Sequence, residues 1–363
     1  MRIGINGFGR IGRLFLRIAL EREPSLEIVA VNTRGTPDVN AYLFQFDTTY
    51  GPFSGRVEVR HNEMWVNGRP ITFLSYLNPL DIPWADLGVD LVIESTGMFT
   101  DAEVAAAHVE AGARRVLVTA PSKGADVTIV MGVNDDVYDP DQHTIISSAS
   151  CTTNCLAPVV RVLLDEFGIE GGMMSTIHAY TNSQRILDKS HKDPRRSRAA
   201  AANIIPTSTG ATKALRLVIP EIGDRILGLS YRVPTLTVSV IDLTVTLERE
   251  ATTEEIKDAF REAAQGRLFG ILHLDERPLV SSDFKGSPYS AIVDGLTTTA
   301  IPGTRMAHVV AWYDNEWGYA NRVVDVARMI VARESLAHAF SPRGRVVAEA
   351  EIRRRLLLSE LGP

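Results

Sequence analysis

Residues 2–35 read RIGINGFGRIGRLFLRIALEREPSLEIVAVNTRG, and their pattern indicates how the first half of the chain folds. A short apolar segment leads into glycines at positions 7, 9 and 12, apolar residues then recur at helical spacing, and a second apolar segment covers 27–32. A strand, a glycine turn, a helix and a second strand within about thirty residues are typical of a unit that binds a dinucleotide. Gly7, Gly9 and Gly12 are expected to let a pyrophosphate approach the backbone at the helix N-terminus. An ordinary tight turn is the alternative, and the strand–turn–helix context argues against it.

The end of the second predicted strand bears on the choice of cofactor. Folds that select NAD place Asp or Glu there to bind the ribose 2′-hydroxyl, whereas this chain has Thr33 and Arg34. Because the carboxylate that would repel a 2′-phosphate is missing and a guanidinium is present, the sequence favours NADP. The alternative is that Arg34 is a solvated loop residue and that the missing acid only relaxes selectivity, which leaves NAD as a cofactor too.

The rest of the first half continues the alternation of strands and helices. Residues 90–94 and 115–119 have the pattern of buried strands, and the alanine-rich stretch 102–113 has that of an amphipathic helix. Parallel strands covered by helices are therefore expected. Since ligands of such sheets bind beyond the carboxyl ends of the strands, residues 95–97 and 119–121 should lie near the cofactor.

Composition excludes several classes of protein. The chain has 363 residues, with 38 Lys and Arg against 44 Asp and Glu, a net charge of −6. Its length favours two domains, and its acidic balance argues against a dedicated nucleic-acid binder. It contains no long apolar run, so no membrane span is predicted. Two cysteines are too few for a disulfide framework or a structural zinc site, so we expect no metal and a cytoplasmic location.

A candidate nucleophile lies in the sequence SCTTNC at 150–155, which follows an apolar strand pattern and precedes an apolar run over 156–164. Cys151 should therefore lie near a helix N-terminus, where unpaired N–H groups favour the thiolate. Cys155, one turn further on, is expected to be buried and unreactive.

A candidate base follows at His178, at the end of the strand pattern 173–178. A thiol needs a neighbouring base to act as a nucleophile. The spacing alone leaves open whether Cys151 and His178 touch.

Taken together, the motifs of the chain resemble those of phosphorylating glyceraldehyde-3-phosphate dehydrogenases over about Met1 to Ala332. The residues that carry the resemblance are Gly4–Arg13, Ser150–Cys155, Ile177–Thr181, His191–Asp193, Arg195–Arg196, Ile204–Gly210, Arg232–Thr235 and Trp312–Tyr319.

The resemblance implies an α/β chain with an N-terminal Rossmann-like dinucleotide-binding domain and an α+β catalytic domain whose sheet is mostly antiparallel. The first domain would cover 1–150 and be completed by a returning helix at about 315–333, and the catalytic domain would cover 151–314. Residues 334–363 would form an extension of unknown role. Within it, 348–358 has the pattern of an amphipathic helix, although a frayed tail is the default.

The resemblance also implies a reaction and its residues. Cys151 would attack the aldehyde of glyceraldehyde 3-phosphate, His178 would move the protons, and inorganic phosphate would release the acyl group. The two phosphates would be bound by Ser150, Thr152, Thr181, Arg196, Thr209, Gly210 and Arg232. The cofactor, NADP or NAD, would be bound by Gly7, Gly9, Arg10, Ile11, Gly12, Thr33, Arg34, Thr119 and Asn315, together with Lys189 and Ser190 from a neighbouring subunit of a homotetramer.

The chain departs from the family pattern at the places that bear on the cofactor. The family usually has Asp at the position of Thr33 and Leu-Pro at the positions of Lys189 and Ser190. Small hydroxylated residues at such places are found in members that use NADP. A common arginine is replaced by Leu77, which removes one potential phosphate ligand.

Two other functions compete with this interpretation. One is the sister activity on erythrose 4-phosphate, which uses the same Cys–His pair but usually lacks the patterns kept here at 178–181 and 206–210. The other is a non-catalytic regulatory protein on the same fold, for which the retained Cys151 and His178 would have no purpose.

Overall fold

Residues 1–340 are described by the computed structural model of the protein, and two large β-sheets organise them. The strands that precede residue 150 form the first sheet and a separate two-stranded ribbon. These strands are β1 (Arg2–Asn6), β2 (Glu27–Asn32), β3 (Phe46–Asp47), β4 (Gly51–Pro52), β5 (Val57–Arg60), β6 (Glu63–Val66), β7 (Arg69–Leu74), β8 (Leu91–Glu94), β9 (Arg115–Val118), β10 (Val127–Thr128) and β11 (Ile145–Ser147). The ribbon is the pair β3 and β4.

The first sheet places the glycine turn at a branch point. Its strands run in the order β10-β11-β9-β8-β1-β2-β7-β6-β5, and every pair from β10 to β7 is parallel. Strand β1 lies between β2 and β8, so the chain first continues on one side of β1 and later returns to build the sheet on the other side. Ligands of open parallel sheets bind outside the carboxyl ends of the strands at such a point. The turn at 7–9 follows β1 directly and therefore lies at that position.

The helices of this half are α1 (Arg10–Arg22), α2 (Pro37–Gln45), α3 (Ala102–Ala105) and α4 (Ala107–Glu110). The helix predicted over 102–113 is thus two short helices. The main chain tightens between them, because the Val109 N–H donates to Ala106 O, three residues back, at 2.8 Å. In α1 the predicted apolar side is buried in the first core, where Leu14, Phe15 and Ile18 pack on the sheet.

The second sheet follows α5 (Cys151–Phe167). Its strands are β12 (Ile169–Ala179), β13 (Ile205–Ser208), β14 (Ile226–Val233), β15 (Ser239–Leu247), β16 (Leu272–Asp275), β17 (Ala291–Asp294), β18 (Thr299–Ala300) and β19 (Met306–Tyr313). The order is β13-β14-β12-β15-β19-β17-β16, with β18 paired to β19. Only β12–β14 and β16–β17 are parallel, so the predicted fold class, a parallel dinucleotide-binding sheet plus a mostly antiparallel sheet, is confirmed.

One face of the second sheet is covered by α5, α6 (Ala211–Val218) and α7 (Thr253–Gln265), which share a large apolar core with it. Helix α5 continues through Pro158, whose missing N–H removes one hydrogen bond without ending the helix. Short 3-10 helices lie at Pro79–Asp81, Asp135–Val137, Arg195–Ser197, Ala200–Ala202, Pro220–Ile222 and Ser281–Phe284.

The chain returns to the first sheet through α8 (Trp317–Phe340), which packs on α1. Val323, Val324 and Ala327 of α8 are buried in the same core as β1. The helix predicted at 315–333 is thus present and extends further. The predicted amphipathic segment at 348–358 lies outside the described residues.

No helix within residues 1–340 combines the length and the apolar character needed to cross a membrane. Across the same residues, no three His, Cys, Asp or Glu side chains come together in the way that metal ligands do.

Candidate active site and cofactor cleft

Each of the three glycines after β1 has a different structural environment, which explains why glycine is found there. Gly7 has a φ of +94°, and a Cβ on it would lie 2.6 Å from the main-chain N of Thr96. A Cβ on Gly12 would lie 2.2 Å from Gly7 O, so this glycine lets α1 pack on the turn. Gly9 has no atom within 4 Å of the place where a Cβ would be, so its backbone borders open space. These are the requirements of a backbone that receives a pyrophosphate.

The N-terminus of α1 faces the same open space. Gly9 is its N-cap residue, and no side chain caps the helix or places an acid in its first turn. The first N–H groups of a helix have no partner within it, so an anion would be stabilised there. The Arg10 guanidinium instead binds Asp47 and, at 2.6 Å, Glu316. The Arg10 side chain is therefore occupied, and at positions 10 and 11 it is the main-chain N–H groups that could bind a pyrophosphate.

An open cleft of about 260 Å³ lies along the carboxyl ends of β1, β2 and β8. It is lined by Asn6, Gly7, Phe8, Gly9, Asn32, Thr33, Arg34, Tyr76, Leu77, Ser95, Thr96, Met98 and Phe99. Arg34 is exposed, and its guanidinium has no partner within residues 1–340. Leu77 is 74% exposed. Lys189 and Ser190 are not part of this lining but lie exposed on the loop that follows β12.

The structure brings the predicted nucleophile and base together. Cys151 is the first residue of α5 and His178 lies at the end of β12, with Sγ 3.4 Å from Nε2. Cys151 is half-buried, and His178 is buried. Cys155 is fully buried, and burial raises the pKa of its thiol well above the usual value.

The electrostatics of this pair differ from the sequence expectation. Burial raises the pKa of the Cys151 thiol, and the positive charge of Arg232 opposes that rise without reversing it. Burial and the charge of Arg232 lower the pKa of His178 to about 3. At neutral pH the pair is therefore a thiol that faces a neutral imidazole. The cost of desolvating the charged sulfur is therefore larger than the stabilisation that the N-terminus of α5 gives to a thiolate.

The other ring nitrogen of His178 has two competing partners. Nδ1 lies 2.7 Å from Ala179 O and 2.7 Å from Nη1 of Arg232, which is itself 3.2 Å from Ala179 O. A guanidinium only donates, so Nδ1 either donates to the carbonyl or accepts from Arg232. Nε2 has a lone pair for the thiol proton only in the first case. The charge of Arg196 also lowers the pKa of both His178 and Arg232, so the two predicted arginines lie near this imidazole.

The turn before Cys151 is held in an uncommon conformation. Ala149 has a φ of +55°, a region that residues other than glycine seldom adopt. The Tyr319 hydroxyl donates to Ala149 O at 3.0 Å, and the Ala149 N–H donates to Ser147 Oγ at 3.1 Å. Ser150 Oγ accepts from the Thr153 N–H at 3.1 Å and caps α5. Tyr319, on α8, thus helps to fix the position of the thiol.

Four of the predicted phosphate ligands lie in two places, near β13 and α6 and on the loop after β12. Arg196 donates to Thr207 Oγ1 at 2.9 Å. Gly210 is the N-cap residue of α6 and has no atom within 4 Å of the place where a Cβ would be. Thr209 Oγ1 accepts from the Ala211 N–H at 3.2 Å. Thr181, by contrast, shares a hydrogen bond with Ser183 at 2.9 Å on the loop after β12.

Thr152 is placed differently from the sequence expectation. Its hydroxyl is buried and lies 3.0 Å from the Tyr313 hydroxyl, which also contacts Thr176 at 2.9 Å. Hydrogen bonds from the side chain and the main chain of Thr152 also reach the Cys151 thiol and favour its ionised form. Tyr313, whose ring meets the His178 ring edge-on, was not singled out by sequence reasoning.

The segment that begins α8 supplies the remaining polar groups. Asn315 Oδ1 accepts from Ser239 Oγ at 2.9 Å, which leaves its Nδ2 with no partner among residues 1–340. The neighbouring Asp314 is buried, and its Oδ1 accepts from the hydroxyls of Tyr50 at 2.7 Å and Thr237 at 2.9 Å. Asp314 was missed, although the unusual run of aromatic and acidic residues at 312–319 was a signal for it. Thr119 Oγ1 donates to the main chain at the end of β8.

A dinucleotide-binding sheet together with a cysteine that faces a histidine is typical of nicotinamide-dependent dehydrogenases that form a covalent intermediate. Residues 1–102 match the family model described as glyceraldehyde 3-phosphate dehydrogenase, NAD binding domain, and residues 150–315 match its C-terminal domain. The chain belongs to the glyceraldehyde-3-phosphate dehydrogenase family.

Individual relatives agree over almost the whole chain. The chain is 52% identical over 333 residues to a glyceraldehyde-3-phosphate dehydrogenase of Geobacillus stearothermophilus, covering 92% of this chain and 99% of the relative. It is 53% identical to that of Kitasatospora aureofaciens over 332 residues, with the same coverage. It is 51% identical over 333 residues to glyceraldehyde-3-phosphate dehydrogenase 1 of Bacillus subtilis, again covering 92% of this chain and 99% of the relative.

Proposed function

We propose that the protein catalyses the reversible phosphorylating oxidation of glyceraldehyde 3-phosphate to 1,3-bisphosphoglycerate. The observation that carries this proposal is the 3.4 Å approach of Cys151 Sγ to His178 Nε2 at the N-terminus of α5. A thiol and a neutral imidazole in contact are what nucleophilic attack on an aldehyde needs. The nearby guanidinium groups of Arg196 and Arg232 suit a phosphorylated substrate.

The protons can be followed through this pair. As Sγ forms a bond to the aldehyde carbon, the thiol proton passes to Nε2 of His178 and then to the new oxyanion, which gives a thiohemiacetal. Main-chain N–H groups around Cys151 and the His178 ring would stabilise that oxyanion. The bound nicotinamide supplies the hydride acceptor when the carbon is oxidised. His178 takes the hydroxyl proton in that step, a thioester results, and phosphate attack on the thioester releases Cys151.

Arg232 links substrate binding to the base. His178 accepts the thiol proton at Nε2 only when its Nδ1 proton is donated to Ala179 O, and Arg232 competes for Nδ1 at 2.7 Å. A substrate phosphate would attract the Arg232 guanidinium and offset its charge. Since that charge helps to lower the pKa of His178 to about 3, phosphate binding would make the imidazole a stronger base.

The two arginines provide a direct test of the phosphate sites. We expect Arg196→Leu and Arg232→Leu each to raise the KM for the aldehyde or for inorganic phosphate by about tenfold or more, because each removes charge-assisted hydrogen bonds to an oxyanion. The melting temperature should barely move. Steady-state kinetics and thermal melts check this, with the surface variant Arg56→Leu as the control. A large thermal loss with unchanged KM values would instead assign both arginines to structure.

The residues of the cleft fit a nicotinamide dinucleotide. The backbone from Gly7 to Gly12 leaves room for the pyrophosphate, and Asn315 has an unpartnered Nδ2 that could donate to the nicotinamide carboxamide. Thr33 and Arg34 stand at the end of β2, where the adenosine ribose is bound in such folds. With no carboxylate at that place, we propose that NADP is accepted at least as well as NAD.

Two substitutions after β2 test the choice of cofactor, and both should shift the preference toward NAD. Wild-type enzyme should show a kcat/KM for NADP at least equal to that for NAD, and Thr33→Asp should restore a preference for NAD of about tenfold or more, since a carboxylate binds the 2′-hydroxyl and repels a 2′-phosphate. Arg34→Ala should weaken NADP selectively. A wild-type preference for NAD above about tenfold would refute the proposal.

Assembly and domain division are proposed on the same basis. We propose a homotetramer in the cytoplasm, in which Lys189 and Ser190 reach a neighbouring cofactor site. Apolar side chains that stay exposed on the second sheet, among them Met173 at 64% and Leu227 at 60%, support burial against another subunit. The proposed domains cover 1–150, completed by the returning helix at about 315–333, and 151–314, with 334–363 as an extension.

The competing activities are separated by a simple assay. Purified enzyme should reduce its cofactor with glyceraldehyde 3-phosphate only when inorganic phosphate is present, and it should do so faster than with erythrose 4-phosphate. Faster turnover of erythrose 4-phosphate would favour the sister activity. No turnover of either aldehyde phosphate would favour a regulatory protein.

A further inference from the structure

A buried polar cluster that the reaction does not use lies under the cofactor cleft. Glu94, the last residue of β8, is 1% exposed, and its carboxylate accepts hydrogen bonds on both oxygens. Oε1 accepts from the main-chain N of Thr96 at 2.8 Å and from the Thr96 hydroxyl. Oε2 lies 2.6 Å from Asn6 Nδ2 and 3.0 Å from His108 Nε2. Four donors thus converge on one buried side chain.

The direction of the hydrogen bonds on the His108 side is set by a tryptophan. Trp84 and His108 are both fully buried, and Nε1 of Trp84 lies 3.0 Å from Nδ1 of His108. An indole only donates, so Nδ1 accepts and the ring proton is on Nε2. His108 therefore donates to Glu94 Oε2.

The direction on the other side is set by the main chain at the edge of the cleft. The Tyr76 N–H donates to Asn32 Oδ1 at 2.8 Å, and Asn32 Nδ2 donates to Tyr76 O at 3.0 Å, which fixes the orientation of this amide. Asn32 Nδ2 also donates to Asn6 Oδ1 at 2.8 Å. Asn6 is thereby left with its own Nδ2 toward Glu94.

We infer that Glu94 is a positioning residue of the cofactor cleft. Its two oxygens hold Asn6 and Thr96, which line the cleft, and through Asn32 they hold the end of β2 that carries Thr33. The inference rests on the proposed function to the extent that this cleft binds the cofactor.

The position requires an acceptor at both oxygens, and an amide cannot meet that requirement. A glutamine at 94 would direct an N–H group either at the Thr96 N–H or at the Asn6 and His108 donors. Neither mismatch can be relieved by turning a ring or an amide. Trp84 fixes the orientation of the His108 ring at one end of this hydrogen-bond network, and Tyr76 fixes that of the Asn32 amide at the other. Relief would have to come from displacement of the cleft lining, which cofactor binding would then have to reverse.

The test exchanges the carboxylate and the amide. Glu94→Gln should raise the Kd for NAD, NADP and ADP-ribose by about 10- to 100-fold, the effect expected when buried donors lose their acceptor. Asn6→Asp, which faces two carboxylates toward each other, should weaken binding at least as much. In the double variant Asn6→Asp/Glu94→Gln, the amide at 94 donates to the new carboxylate at position 6 and keeps its oxygen toward Thr96. The His108 N–H can then donate to that carboxylate, because His108 Nε2 lies 3.3 Å from Asn6 Nδ2, so the Kd should return to within about threefold of wild type.

Titration calorimetry and thermal melts decide between positioning and structure alone. Asp275→Asn, which removes a buried carboxylate from β16 outside the cleft, is the control and should lower the melting temperature without changing any Kd. A wild-type Kd in Glu94→Gln overturns the inference. A double variant that recovers its melting temperature but binds as weakly as the single variants overturns it too, and this comparison stands even if Glu94→Gln does not fold. Failure of the wild-type enzyme to bind NAD or NADP would reject the proposed function instead.

Discussion

Replacing Cys151 with serine should lower the rate of phosphorylating oxidation by at least about 10³-fold, the scale seen when a nucleophile is removed. A serine hydroxyl at the N-terminus of α5 would stay protonated where even a thiol of raised pKa ionises in part. An oxygen ester would also be a poorer acyl donor to phosphate than the thioester. The Kd for NAD and NADP should change little, because the cleft is lined by residues of the first sheet and its loops.

The matched control for this variant is four residues away. Cys155 is fully buried, and its Sγ lies 3.8 Å from Ala311 O, so Cys155→Ser keeps the volume and a hydrogen-bond donor. Its activity should stay close to that of the wild-type enzyme. If Cys151→Ser kept more than a few per cent of the wild-type rate, the covalent mechanism would have to be abandoned.

Replacing His178 with asparagine should slow the acylation of Cys151 by about 10²- to 10⁴-fold, the usual contribution of a general base. Asparagine cannot take the thiol proton at the place where Nε2 lies 3.4 Å from Sγ. Pre-steady-state measurement of reduced cofactor would show the loss in the first turnover. His61→Asn is the control, because His61 is exposed with a φ of 56°, a conformation that asparagine adopts readily.

The same pair predicts how the thiol responds to pH. Because burial raises the Cys151 pKa and keeps His178 neutral down to about pH 3, no ion pair supplies thiolate in acid or neutral solution. In the enzyme without cofactor, the rate of alkylation by iodoacetamide should rise by about tenfold per pH unit from about pH 6 upward. In His178→Asn the rise should begin no earlier. A plateau near pH 6 in the wild-type enzyme would show that an ion pair forms after all.

Much of the site could be predicted because its signals are local. The glycine turn has local causes at two positions, because Gly7 has a φ of +94° and a Cβ on Gly12 would lie 2.2 Å from Gly7 O. The close approach of Gly7 to Thr96, by contrast, depends on the fold. Cys151 could be placed at a helix start because the strand before it and the apolar run after it are contiguous in sequence. The same local view includes the N–H groups at the helix terminus, which lower the pKa of Cys151, but not the burial of Sγ against distant elements, which raises it.

Periodicity and residue type over short spans were enough to predict the first strand–turn–helix–strand unit, the strands at 90–94 and 115–119, the missing acid after β2 and the candidate nucleophile and base. Which side chains meet depends instead on the tertiary structure. It set Cys151 against His178, turned Thr152 onto Tyr313, bound Arg10 to Glu316 and closed the chain of donors on Glu94. The physical reason is that pKa values and hydrogen-bond direction depend on burial and on partners many residues away in sequence, which no local pattern records.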